Sequence, residues 1–235
     1  MTACTMHLLF DLDGTLTDPG DGIVACLRQA FETLGIPAPP ESELLTFIGP
    51  PLQESFLKVL GTAQKADEAL RVYRERYSTL GMFENVVYPG IDGVLTTLGA
   101  LGFPLLVATS KPEVFATKIL QHFGLARHFK AIYGAALSGE RSKKADLLTH
   151  IVQQQGLDPR SAIMIGDRSH DILAGQGLGM KTIGVLWGYG SRDELVESGA
   201  DVIVETVSAL VVEVEHLTKQ TQLADEIGGC RSKMQ

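Results

Sequence analysis

Six short apolar runs punctuate this chain, and they constrain its fold more than any other feature. They span 7–10, 104–108, 131–133, 162–165, 182–185 and 202–204, and Gly, Asp, Ser or Thr usually follows each one. Runs of this length that are continuously apolar, rather than alternating, are the pattern of strands buried on both faces of a parallel sheet. Amphipathic stretches lie between them: Ile91, Val94, Leu95, Leu98 and Leu101 share one helical face, as do Phe115, Ile119 and Phe123, and then Leu147, Leu148, Ile151 and Val152. Strands alternating with helices predict an α/β fold, a doubly wound parallel sheet.

The alternation fails once. From Asp18 to Asn85 only helical periodicities occur, through Ile23, Leu27, Phe31 and Leu34, then Leu52, Phe56 and Leu60, then Leu70, Tyr73, Tyr77 and Leu80. Prolines and glycines at 37, 39, 40, 49–51 and 61 divide the stretch into three or four helices, and Tyr88-Pro89-Gly90 marks its exit. The expected organisation is an α/β core from residues 1–17 and 88–217 with an inserted helical domain at 18–87. A polar tail, 218–235, carries Gly228-Gly229 and reads as frayed.

Composition removes several classes of function. The 235 residues are 45% hydrophobic, with no apolar run long enough to span a bilayer. Net charge is −8, and no Lys/Arg run occurs, which argues against a large nucleic-acid footprint. Three cysteines, Cys4, Cys26 and Cys230, have no CxxC spacing, and the N-terminus lacks a signal-like pattern; both features fit an untargeted cytoplasmic protein with reduced thiols. Cys26 falls near the apolar side of the first inserted helix and reads as a core residue.

In an open α/β sheet ligands bind beyond the carboxyl ends of the strands, and four of those ends carry matching polar groups. The first run ends in Asp11-Leu12-Asp13-Gly14-Thr15; if the strand continued, Asp11 and Asp13 would point the same way. Two crowded carboxylates suggest a divalent metal or a shared proton, although an Asp-x-Asp-Gly turn is also a common structural device. Thr109-Ser110-Lys111-Pro112 predicts a helix start able to bind an anion, or a simple cap. Lys143 and Lys144 stand at another helix start, where cations oppose the helix dipole. The fourth end reads Gly166-Asp167-Arg168-Ser169-His170-Asp171, with Asp171 placed to reach back from the next helix.

Together Asp11-Leu12-Asp13-Gly14-Thr15, Thr109, Lys144 and Gly166-Asp167 with Asp171 resemble the four motifs of the haloacid dehalogenase superfamily. The helical insertion is similar to that superfamily's small cap. Phe47-Ile48-Gly49-Pro50-Pro51-Leu52 and Arg141-Ser142-Lys143-Lys144-Ala145-Asp146 resemble members named phosphoglycolate phosphatases and 5′-nucleotidases. The resemblance implies a phosphatase of small phosphorylated metabolites, monomeric or homodimeric. Asp11 would be the nucleophile, forming an aspartyl phosphate, and Asp13 the general acid and base. Mg²⁺ would be held by Asp11, the Asp13 carbonyl and Asp167, with Asp171 behind them, and Thr109, the Ser110 amide and Lys144 would hold phosphate oxygens. Lys144 is preferred to Lys143 because it directly precedes Ala-Asp-Leu-Leu. Lys111 is a further anion-binding candidate or a solvated lysine. Phe47 to Gln53, Tyr73, Arg74 and Arg76 are candidates for substrate choice, with core packing the alternative for Tyr73.

Competing expectations follow from the same motifs. They are 5′-nucleotidase activity, phosphotransfer of the β-phosphoglucomutase kind, and a catalytically idle module that binds a phosphometabolite. A dehalogenase has no need of the acid at Asp13. The chain has no GxxxxGK[ST] of a nucleotide-binding loop and no HExxH of a zinc hydrolase.

Overall fold

The computed structural model describes residues 5–231. A six-stranded parallel sheet forms the centre, built from β1 (His7–Phe10), β4 (Leu105–Pro112), β5 (Ala131–Ala135), β6 (Ala162–Gly166), β7 (Lys181–Val185) and β8 (Val202–Val204). Its order is β5-β4-β1-β6-β7-β8, all neighbours parallel. The chain leaves β1 for β4 and β5 on one side and returns to β6, β7 and β8 on the other. The order therefore reverses at β1, where a crevice opens beyond the strand ends.

Strand periodicity places successive side chains on opposite faces, and each face has its own core. Leu8 and Phe10 join Val107, Ile163 and Ile165 in one cluster with α5 (Ile91–Ala100), α6 (Glu113–His122) and α10 (Leu210–Arg231). Leu9 joins Leu106, Ala108 and Met164 in the other, under α7 (Lys144–Gln155) and α8 (Ser169–Gly177). A short α9 (Arg192–Glu197) precedes β8.

The segment between β1 and α5 is helical, as its periodicity predicts, with α1 (Gly20–Thr33), α2 (Glu41–Leu44), α3 (Leu52–Leu60) and α4 (Ala63–Arg76), the last continued by a π-helical turn over Tyr77–Gly81. Ile23, Leu27 and Phe31 are buried along one face of α1. A chain of aromatic rings runs through this domain into the core: Phe31–Phe56 at 6.1 Å, Phe56–Tyr73 at 6.4 Å, Tyr73 stacked on Tyr77 at 5.2 Å, and Tyr77 edge-on to Phe115 of α6 at 5.5 Å.

Four features depart from the sequence expectation. Two-residue strands, β2 (Thr17–Asp18) and β3 (Val86–Val87), pair antiparallel where the chain enters and leaves the helical domain; they are too short to show a period. β1 ends at Phe10, so Asp11 and Asp13 lie on a tight loop, where the Leu12 carbonyl accepts from the Thr15, Leu16 and Thr17 N–H groups. Thr109 to Pro112 are the last residues of β4 and not a helix start, because the register slips between Thr109 and Pro112 and α6 begins at Glu113. The polar tail is helical: α10 runs to Arg231, with Leu210, Val214 and Leu217 in the core ahead of the tail, Thr218 buried at its start and Leu223 exposed. Cys4 and residues 232–235 lie outside the described residues, and Cys26 is buried.

Candidate active site

Beyond the carboxyl ends of β1, β4 and β6 the polar groups singled out in the sequence converge. Asp11 leaves β1 with its N–H on the Ile165 carbonyl at 2.9 Å, and its Oδ1 accepts the Leu12 N–H at 2.7 Å. Lys144, in the first turn of α7, is almost wholly buried. Its ammonium lies 3.0 Å from Asp11 Oδ1 and 2.8 Å from Asp171 Oδ1, and donates to the Ala108 carbonyl at 2.8 Å. Lys143 is exposed. One of the two lysines thus enters the site, because it shares the buried face of Leu147, Leu148 and Ile151.

Burial governs the charges. It pushes the Asp11 carboxyl above its usual range, with the Lys144 ammonium opposing. It also works against ionised Asp171, but Lys144 and the Arg168 N–H outweigh it and hold that carboxyl below its usual range. Burial would lower Lys144 too, yet its two carboxylates raise it, so it stays a cation. Asp167 is pushed up to about 8 by burial and by its neighbours Asp171 and Asp11, against the Tyr189 N–H that reaches its Oδ2 at 2.7 Å.

Asp13 faces the helical domain. Its Oδ2 lies 2.6 Å from the Lys111 ammonium, and its Oδ1 is buried without a partner. Lys111 also donates to the Tyr77 hydroxyl at 2.6 Å, so one lysine joins β4, the loop after β1 and the end of α4. Thr109 is buried and its Oγ1 accepts the Lys111 N–H at 3.2 Å, while Ser110 lines the cavity above.

Four carboxylates, Asp11, Asp13, Asp167 and Asp171, therefore stand against two ammonium groups, and the raised Asp167 records the imbalance. A dication with a preference for oxygen would correct it, so these residues fit one. Asp11, His170 and Asp171 also bring ligand atoms within 4.8 Å of one another, but Lys144 already sits against two of the three.

A cavity of ≈ 130 Å³ lies between the helical domain and the sheet, lined by Asp13, Ser110 and Lys111 from below and by Phe47, Gln53, Tyr73 and Arg74 from above. Arg76, a candidate from sequence, does not line it; it pairs with Glu84 at 2.6 Å inside the helical domain. Sequence reasoning missed the loop after β7. There Trp187 Nε1 donates to the Thr15 carbonyl at 3.0 Å and Tyr189 bonds Asp167 and Asp18, so the loop walls one side of the acidic cluster. Its signal was present as Trp187-Gly188-Tyr189-Gly190, a glycine-rich aromatic turn at a strand exit. A side chain at Gly188 would place Cβ 2.4 Å from Asp167 Oδ2.

The sequence pattern of the haloacid dehalogenase-like hydrolases matches residues 8–185, which include Asp11, Asp13, Thr109, Lys144, Asp167 and Asp171. The chain belongs to that family. It is 47% identical over 190 residues to a Pseudomonas aeruginosa protein named 5′-nucleotidase, covering 80% of this chain and 86% of that one. It is 41% identical over 202 residues to the Mycobacterium tuberculosis protein named tyrosine-protein kinase PtkA, covering 86% and 69%. Among solved structures, a predicted phosphatase from Clostridium acetobutylicum superposes with a TM-score of 0.87 at 40% identity, over 91% of this chain and 99% of that one. Family membership makes the chain a hydrolase with the α/β core expected from its sequence. Among the described residues no helix is long and apolar enough to cross a membrane.

Proposed function

We propose that the protein is a Mg²⁺-dependent phosphatase of small phosphomonoesters that works through an aspartyl phosphate. The observation that carries this reading is the division of labour between two carboxylates two residues apart. Asp11 is buried against Lys144, while Asp13 keeps one oxygen, Oδ1, buried and unpartnered at the cavity.

A carboxylate oxygen of Asp11 attacks phosphorus as the P–O bond to the leaving alcohol breaks, and Asp13 gives that alcohol its proton. Water then attacks the same phosphorus, Asp13 takes its proton, and the bond from phosphorus to Asp11 breaks to release phosphate. Lys144, Thr109 and the Ser110 amide hold the non-transferring oxygens and stabilise the charge that builds on them. Asp11, the Asp13 carbonyl and Asp167 would hold the Mg²⁺, which supplies charge neutralisation between nucleophile and phosphate. The helical domain at 18–87 acts as the cap: Tyr77 reaches Lys111, Arg168 donates to the Ile48 carbonyl at 2.8 Å, and Arg74 to the Leu137 carbonyl at 3.1 Å, so bulk water is kept from the cavity. The names 5′-nucleotidase and phosphatase among relatives support this reading. The kinase name of another finds no nucleotide-phosphate loop in this chain.

The test is phosphate release from nucleoside monophosphates, phosphoglycolate and p-nitrophenyl phosphate, with Mg²⁺, with a chelator, and with Asp11→Asn. Turnover lost in both of the last two supports the mechanism. Ester binding without turnover would replace it with the idle binding module.

A further inference from the structure

One stripe of α4 and its π-helical continuation looks into the cavity. Leu70, Tyr73, Arg74 and Tyr77 follow the i, i+3, i+4, i+7 spacing of a single helical face, and all four line the cavity together with Asp13, the residue assigned to protonate the leaving alcohol. Three of them are apolar or aromatic, and the fourth carries a full charge. The other three arginines of the helical domain each have a carboxylate partner: Arg28 has Glu41 at 2.9 Å, Arg71 has Glu75, and Arg76 has Glu84 at 2.6 Å. Among the described residues Arg74 has no carboxylate, and its guanidinium gives an N–H to the Leu137 carbonyl at 3.1 Å. The acids nearest to it along α4 are taken, Asp67 by Gln53 and Glu75 by Arg71. Arg74 is half-buried, and burial works against its charge with nothing anionic to offset it.

The other cation of the cavity wall is already committed. Lys111 holds Asp13 Oδ2 and the Tyr77 hydroxyl, each at 2.6 Å, so an anion arriving there would have to break that pair. Arg74 still has most of its planar fork of donors to offer, the geometry that carboxylates and phosphates accept best. It also lines a groove of ≈ 550 Å³ outside the cavity, and Leu70 and Phe115 line both. The guanidinium therefore stands where cavity and groove adjoin, open to a ligand in either.

We propose that Arg74 selects phosphate monoesters whose leaving alcohol carries a second anionic group, a carboxylate or another phosphate, which takes the guanidinium as its partner. This deepens the phosphatase reading and rests on it. Nucleoside monophosphates fall outside the class, since a nucleoside leaves as a neutral alcohol.

The experiment uses two pairs of esters whose members differ chiefly in the second anion: 3-phosphoglycerate against glycerol 3-phosphate, and propane-1,3-diol bisphosphate against its monophosphate. kcat/KM is measured in Mg²⁺ for the wild-type chain, Arg74→Gln and Arg74→Lys, and binding of the same esters to Asp11→Asn, with and without Arg74→Gln, is measured by calorimetry. The wild-type chain is expected to favour the anionic member of at least one pair by about tenfold or more, the size of a charged hydrogen-bonded pair, and Arg74→Gln to remove about tenfold of that preference, chiefly through KM. Arg74→Lys, which keeps the charge without the fork, is expected to retain part of it. The pair that shows the preference names the anion. A wild-type ratio of one or below in both pairs overturns the proposal. So does an Arg74→Gln loss that falls equally on both members of each pair, the signature of a residue that only ties the cap to the Leu137 carbonyl. Absence of turnover on every ester overturns the phosphatase reading, and calorimetry then decides the Arg74 contact separately: anionic esters bound no tighter than neutral ones, or equally tightly with and without Arg74, overturn it as well.

Discussion

Lys144 is the residue on which the site's electrostatics turn. Its ammonium is the cationic partner of both Asp11 and Asp171, and the Asp171 side chain is fully buried. Removing one partner of a buried ion network leaves the others uncompensated, which costs about 3–5 kcal/mol. Lys144→Met is therefore expected to destabilise the fold by that amount in urea unfolding, and adding Asp171→Asn should recover part of the loss. Activity should not return in the double variant, because the phosphate oxygens have lost their cation. Asp11→Asn separates chemistry from stability in the opposite sense. It removes the nucleophile, so phosphate release should fall roughly a thousandfold or more, while burial of a neutral side chain leaves the fold intact; a urea midpoint beside the rate measures both. In the sequence only the following Ala-Asp-Leu-Leu favours Lys144 over Lys143, and the buried face of α7 adds the physical reason. Leu147, Leu148 and Ile151 stand three, four and seven residues beyond Lys144, which puts all four on one helical face. What the sequence could not show is where Lys111 ends, since its partners Asp13 and Tyr77 come from two other segments.

At the scale of elements, the six sheet strands were readable because both their faces are buried, so each is a continuous apolar run. β2 and β3 were not, since two residues show no period, yet they carry the chain into and out of the helical domain. The loop after β7 was missed because its hold on the acidic cluster is by backbone: the Tyr189 N–H on Asp167, and glycines that let the loop approach. Close approach also fixes α1 on the π-helical turn. A Cβ at Gly22 would lie 2.2 Å from the Gly81 carbonyl oxygen and 2.5 Å from that of Glu84. Backbone cannot yield as a flexible side chain does, so Gly22→Ala should destabilise by about 1–3 kcal/mol in urea or thermal unfolding. Gly93, within α5, has nothing within 4 Å of the same position. Gly93→Ala should be stabilising by about 0.5–1 kcal/mol, since alanine loses less backbone freedom on entering a helix.

For the whole molecule, the charge balance at the switch point links folding to pH and to the cation. Asp167 is pushed up to about 8, against an ordinary value of 3.8 that the unfolded chain regains. Between these limits the folded protein holds a proton that the unfolded chain has lost. Metal-free stability from this group is thus full below the lower value and falls as pH rises toward the upper one. A bound cation needs the carboxylate and must expel that proton, so its stabilisation grows with pH over the same window. Melting curves in Mg²⁺ and in chelator, taken at pH 5.5, 7 and 8.5, should show the smallest Mg²⁺-induced rise in Tm at pH 5.5 and the largest at pH 8.5. Taking the difference cancels every group that the cation does not touch. Asp167→Asn removes both the proton and the ligand, so it should flatten the metal-free pH dependence and abolish most of the Mg²⁺ response. A response of equal size in that variant would move the cation to Asp11, His170 and Asp171, and Lys144 would then have to leave the place it holds between two of them.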